Sequence, residues 1–287
     1  MIEVPLNEYL CKSEQLTALL ATYEGEPAIF HQIAFSDTEE GWDGLQYARI
    51  VFSIDKSGDV ERKASGTLYI DILSSNQSEQ PDEIEAVLKE LIDGYFFVVD
   101  GMTYAAKWER SDGYTDEQGK KVYGTTIMFS LLAFPLQNTS EPDTVALMNN
   151  WAKAFFPDAT IINVSATQPV FKPTDEAPAI YWSFQGLSES PIASIFGCTW
   201  TQSNLTMHVM APSEAVRNSI VNQAANELNE KMRVLFPDRS PFTIHRVSAN
   251  MTADPVRTGQ LIVSGSYGIL RQQPNSNPLN NVNISQK

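Results

Sequence analysis

"TLYIDI", Thr67 to Ile72, and "NLTMHVM", Asn204 to Met210, are two versions of one short pattern. Each alternates apolar and polar residues, as a strand with one buried face does. Each also leads through a few polar residues into an amphipathic helical run. Leu68 and Leu205 stand 137 positions apart, and working outward from them recovers the same order of elements on both sides.

In the first half, "QYARIVFSI" precedes the marker run and reads as a strand. "DKSGD" between them is turn chemistry, with Gly58 able to take positive φ, so the two strands form a hairpin. Upstream, "PAIFHQIAF" is a further strand. "EQLTALLATY" is a helix by its spacing of Leu16, Leu19, Leu20 and Tyr23, with Gly25 as its stop. Downstream, "SSNQSEQ" leads to Pro81, Asp82 and Glu83, residues suited to a first helical turn. Ile84, Val87, Leu88, Leu91 and Ile92 then give one apolar stripe, and Gly94 ends it. "MTYAAKWE" and "TTIMFSLLAF" close the unit, joined by the polar loop "RSDGYTDEQGKK".

The second half repeats this. "TVALMNNWAKAFFP" is a helix stopped at Pro157, "ATIINVSA" a strand, and "AIYWSF" matches "RIVFSI", with Ile180, Trp182 and Ser183 opposite Ile50, Phe52 and Ser53. After "NLTMHVM", the helix "SEAVRNSIVNQAANELNEKMRVLF" starts at the N-cap Ser213 and carries Val216, Ile220, Val221, Ala224, Leu228 and Met232. "FTIHRVSA" and "GQLIVSGSYGIL" take the closing places, with Leu261 and Val263 matching Ile127 and Phe129. The offsets run 130, 137 and 134 from strand to strand, as loops of changing length produce.

The expected fold is therefore α+β: two tandem α/β domains, each a mainly antiparallel sheet with helices packed on it, in the order α-β-β-β-α-β-β. The first spans 1–135 and the second 143–271. "FPLQNTSEPD" has linker composition, and the Asn- and Pro-rich residues 272–287 read as a flexible tail.

The chain has 287 residues, 43% of them apolar and 19% charged, enough for two ordinary cores. Cys11 and Cys198 lie in different halves without ligand or redox spacing, which favours a reducing compartment and argues against a structural disulfide. The N-terminus is acidic where a signal peptide is basic, and no apolar run reaches the roughly 20 residues that span a bilayer. The expectation is a soluble protein made in a cytoplasm, with no role for a membrane. Residues 1–143 carry 26 acidic and 10 basic side chains, whereas 144–287 carry 9 and 10. Acidity of this kind excludes binding a nucleic-acid backbone by counterion release, though it lets DNA pass without sticking.

Chemistry is sparse. His31, His208 and His245 lie on separate predicted strands, without a second ligand at metal spacing. "VSGSYG" lacks the strand-to-helix turn of a nucleophile elbow and reads as a glycine-softened edge or bend. Glu39, Glu40 and Asp43 flank Trp42 in one loop, and a solvated acidic loop with a packing tryptophan explains them better than a glycosidase pair does. There is no phosphate-binding glycine motif. No cofactor, metal or catalytic residue is expected, and the chain reads as a non-enzyme.

"EPAIFHQIAF", "LQYARIVFSI" and "GTLYIDIL", followed by a helix across the sheet, resemble the tail terminator, or tail-completion, proteins of long-tailed bacteriophages. The likeness covers about residues 14–134 and, more faintly, 144–270. Family members typically hold one such domain, whereas this chain holds two. The resemblance implies a virion structural protein, placed in the tail or neck and assembled in the host cytoplasm. It forms a ring with copies of itself, a hexamer being favoured over a trimer, that caps the tail tube. Tube and head–tail connector proteins are its partners, and DNA passes through without sequence-specific binding. Ring contacts are expected at the sheet edges, in the loop Ser36–Gly44, at Glu39, Glu40, Trp42 and Asp43, and in the loop Arg110–Lys121, at Tyr114, Asp116 and Glu117. The competing readings are another phage component (tail tube, baseplate or head completion) and a small-molecule-binding enzyme with a pocket between the halves.

Overall fold

In a computed structural model, which describes residues 2–56, 66–75, 80–115, 122–137, 141–166, 168–192 and 197–270, the two marker runs lie inside two sheets of one strand order. The chain opens with α1 (Glu3–Cys11), α2 (Glu14–Thr17) and a small hairpin, β1 (Thr22–Tyr23) and β2 (Glu26–Pro27). Then come β3 (Ile29–His31), β4 (Arg49–Lys56), β5 (Gly66–Ser74), α3 (Gln80–Ile92), β6 (Phe96–Val99), β7 (Met102–Thr115) and β8 (Tyr123–Phe134). The second half runs α4 (Thr144–Phe155), β9 (Thr160–Ile161), β10 (Val170–Phe171), β11 (Ala179–Glu189), β12 (Cys198–Met210), α5 (Glu214–Lys231), β13 (Arg233–Leu235), β14 (Pro241–Ala249) and β15 (Leu261–Leu270).

The first sheet is ordered β6-β7-β8-β5-β4-β3 and the second β13-β14-β15-β12-β11-β9. In both, one strand pair is parallel, β3 with β4 and β9 with β11, and every other pair is antiparallel. The residues matched by sequence share rungs. Phe52 faces Ile70, which faces Ile127; Trp182 faces Met207, which faces Leu261. All six are at most 1% exposed. Since a one-residue slip would turn every side chain to the opposite face, burial holds this register in both sheets.

Helices cover one face of each sheet. Ile84, Val87, Leu88 and Ile92 of α3 are buried in the first core, and Val145, Met148 and Ala152 of α4 join Ile220, Val221, Ala224 and Leu228 of α5 in the second. Each fully buried large aliphatic side chain contributes roughly 1.5–3 kcal/mol of transfer free energy, so packing outweighs intrinsic propensity in holding these helices. Asp143 caps α4, its Oδ1 accepting from Val145 N (2.9 Å) and Ala146 N (3.0 Å).

The α+β class is as expected, with local differences. Each half has an unexpected strand, β6 and β13, between the long helix and the closing hairpin, and β1, β2 and β10 are further short strands. The helix read from "EQLTALLATY" is only the turn α2, capped by Ser13, and Tyr23 lies in β1; the helix against the sheet is α1, through buried Leu6 and Leu10. The chain leaves helical geometry early because Ala21 N donates to Ala48 O and Ala28 N to Ala21 O, which dock this segment beside β4. The last long helix stops at Lys231. Met232 takes a left-handed φ of 52° and is 59% exposed, so it lies outside the apolar stripe. Nor is "VSGSYG" an edge: β15 runs between β14 and β12. A Cβ on Gly265 would meet the Phe242 ring at 2.6 Å and Thr243 O at 2.8 Å, so close approach, not a bend, requires the glycine. Gly58 and residues 272–287 lie outside the described residues.

The halves pack through the sheet faces away from their helices. Phe96, Ala105 and Phe134 meet Ile162, Ala179, Tyr181 and Met210 in a third buried cluster. Tyr181 Oη donates to Pro135 O (2.9 Å), and Asn163 Nδ2 donates to Phe134 O (3.0 Å). Part of the loop between β9 and β11 crosses to the first sheet, where β10 pairs antiparallel with β6 and extends it to seven strands. Val98 N donates to Pro169 O (2.8 Å), and Phe171 stacks on Phe96 with centroids 5.2 Å apart.

Candidate assembly interface

The loop between β3 and β4, residues 32–48, carries four of the residues expected at a subunit contact. It is ordered by aromatic packing and one arginine. Tyr23 stacks on Phe35 (4.3 Å, 9° between planes) and meets Trp42 edge-on (5.1 Å), while Phe30 packs edge-on against Phe35 and Trp42. Trp42 Nε1 donates to Ser36 O (3.0 Å), and Trp42 forms a backbone bridge with Tyr23. The tryptophan is therefore half-buried and structural.

Arg49, the first residue of β4, is 9% exposed. Its Nη1 donates to Phe35 O (3.2 Å) and to Asp37 Oδ1 (2.9 Å), and its guanidinium lies over the rings of Tyr47 (4.8 Å) and Trp42 (5.5 Å). A planar cation suits this place, since it stacks and donates at once. Nε has no hydrogen-bond partner among the described residues. One charged group thus fixes the loop's path at four points.

The acidic residues serve the backbone or face outward. Asp43 Oδ2 accepts from Gly25 N (3.1 Å), and Glu39 Oε2 accepts from Ser36 N (3.2 Å). Glu40 is exposed. These carboxylates cap turns, and the described contacts do not converge them on one point, as acid–base hydrolysis demands. The Tyr23 hydroxyl is held above its ordinary value by burial, then by the charges of Glu24 and Glu39. The loop's surface is also apolar: Ile33 is 79% exposed and Leu45 76%.

Of the second expected contact, Tyr114 does not lie in a loop. β7 continues to Thr115 after a bulge between Trp108 and Arg110, and Tyr114 pairs with Gly124. The polar letters hid a strand because β7 projects beyond the core, where alternation with apolar residues no longer applies. Asp116 and Glu117 lie outside the described residues. Sequence reasoning missed Arg49, Ile33 and Leu45. An arginine opening an otherwise apolar strand, twelve residues after an aspartate, was the available signal for Arg49.

Among the described residues no group of three His, Cys, Asp or Glu is placed to hold a metal, and no helix is long and apolar enough to cross a membrane. His208 Nδ1 is 2.9 Å from Pro255 O and its Nε2 3.2 Å from Ser183 Oγ, a buried packing role. A cleft of about 320 Å³ between α1 and β3 is lined by Glu3, Asn7, His31 and Phe52 among others. There Lys56 Nζ lies 2.9 Å from Glu3 Oε1.

No protein-family model and no curated protein matches the chain. Among solved structures it is similar to a chain from the "Virion of native gene transfer agent (GTA) particle", at 10% identity and a TM-score of 0.34, over 45% of this chain and 91% of that one.

Proposed function

We propose that this chain is a virion structural protein, a ring-forming tail terminator that closes the tail tube and offers a face to the head. One observation carries the assembly part of this reading: two halves of one strand order join through unlike surfaces. The first half contributes the β6 edge and its neighbours; the second contributes the 162–178 loop and the ends of β11 and β12. A contact of this kind leaves each half with the other member of the pair still available. Repeated between copies, it closes a ring or grows a filament, depending on its rotation.

The particular role comes from the tail-terminator likeness of residues 14–134. Tail-tube and connector proteins are then its partners, and the virion neck its place. The excess acidity of the first half lets duplex DNA pass a central opening without adhering.

Light scattering after size exclusion, with negative-stain imaging of the same peak, tests this reading. The expected result is a ring with a hole about as wide as duplex DNA, its mass deciding between three and six copies. A chain that stays monomeric at every concentration, and forms no ring when tail tubes are added, overturns it.

A further inference from the structure

We infer that residues 32–48 of one copy seat on the β13 edge of a second copy. This rests on the ring reading above and names the two surfaces that build it.

The argument begins from equivalence. Residues 32–48 join β3 to β4, and residues 162–178 join β9 to β11; the two loops have the same length and connect the same parallel pair of their sheets. The second of them covers β6 of the first half. The strand equivalent to β6 is β13: Phe96 faces Ala105 on β7, and Arg233 faces Thr243 on β14. Those two rungs continue to Leu132 and Ser266, which sequence offset already aligns. Val98, whose N–H donates to Pro169 O, thus corresponds to Leu235. Within one chain, therefore, the loop of the second half meets the edge of the first. The loop of the first half and the edge of the second are left over, and among the described residues β13 has no strand beyond it.

Both leftovers look like interface. The covered edge buries Phe96 to 2% exposure, whereas Met232 and Leu235 at the open one are 59% and 52% exposed. Across from them, Ile33 and Leu45 expose more than three-quarters of their surface. Charge is complementary: the loop presents exposed Glu39, Glu40 and Asp43, and the edge exposed Arg233 and Arg239. An arginine on an edge strand discourages indiscriminate pairing, and an acidic partner turns that repulsion into selection. Arg49 and the β1–β2 hairpin hold the loop in shape beforehand, so little ordering remains to be done on docking.

The test is a charge exchange read by sedimentation over a concentration series, on the full chain. Arg233→Glu with Arg239→Glu, and separately Glu39→Lys with Glu40→Lys, each weaken self-association by about tenfold or more. The thermal midpoint stays at that of the parent for the arginine pair and falls by a few degrees at most for the glutamate pair, which loses the Glu39 cap on Ser36 N. Combining all four substitutions restores association. As a second readout, mixing Leu45→Cys protein with Leu235→Cys protein under oxidation yields a cross-linked dimer that neither variant forms alone. If the parent forms rings that neither pair of substitutions weakens, the surfaces are wrong while the ring reading stands. If the parent does not self-associate at any concentration, nor when tail tubes are added, no second copy occupies this edge. A combined variant no better than either pair also overturns the inference.

Discussion

The β6 edge and the β13 edge hold the same place in sheets of the same strand order, yet one is covered by two residues of the other half and the other ends its sheet. The difference lies at single positions. Where β6 places Phe96, which stacks on Phe171, β13 places Arg233. Inward-facing neighbours differ less: Phe97 and Val234 both pack on their own cores. Two sheets of one strand order thus keep alike what burial demands and differ in what faces outward, so an edge can be a permanent intramolecular joint or an exposed, charge-guarded one.

The largest test of that equivalence strikes the shared centre. Phe52→Ala and Trp182→Ala remove the matched, fully buried side chains of the two cores. Each is expected to cost about 3–5 kcal/mol, measured as a shift in the urea midpoint at constant slope. If one variant unfolds and the other loses under about 1 kcal/mol, the two positions do not play the same part.

A smaller effect separates the edges themselves. Phe171→Ala removes the ring stacked on Phe96 and is expected to cost about 1–2 kcal/mol. Amide exchange at Val98, whose N–H now donates to Pro169 O, should accelerate toward that of Leu235 on the open edge. Unchanged protection at Val98 would mean that β10 stays on β6 without its aromatic anchor.

What was legible in the sequence follows this division. Matched pairs such as Ile50 with Ile180 and Phe129 with Val263 stand on equivalent rungs because burial wrote their alternation into the letters. β6, β10 and β13 are two to four residues long, too short to show a period, and exist through what they pair with. Likewise, Met232 continues an apolar stripe on paper, but its left-handed backbone turns the chain into β13. At the candidate interface, Glu39, Glu40, Trp42 and Asp43 do share one loop. The placement of Arg49 beneath it depended on the parallel β3–β4 pair, a long-range contact that no local pattern encodes.

The smallest predicted effect concerns the ionic side of the joint between the halves. Asp254 Oδ1 accepts from Val256 N (2.8 Å) and Arg257 N (2.9 Å), and its other oxygen lies 3.8 Å from Lys107 Nζ on β7. Burial alone would raise its carboxyl, but these backbone N–H groups and the charges of Lys107 and Arg257 hold it below its ordinary value of 3.8. A group whose folded value is depressed stabilises the fold above its unfolded value and loses that contribution as pH falls through the folded one. The expected loss thus falls below about pH 4. Asp254→Asn keeps the acceptor for the turn and removes the charge, so it should flatten the acid limb of the stability profile while costing little at neutral pH. Glu109→Gln, which breaks the exposed pair with Arg257 (3.1 Å), is the control and should change stability by no more than about 0.5 kcal/mol. An acid limb equally steep in Asp254→Asn and in the parent assigns the acid sensitivity to other carboxylates, and leaves the joint resting on the cluster of Phe96, Phe134 and Tyr181 and on the hydrogen bonds beside it.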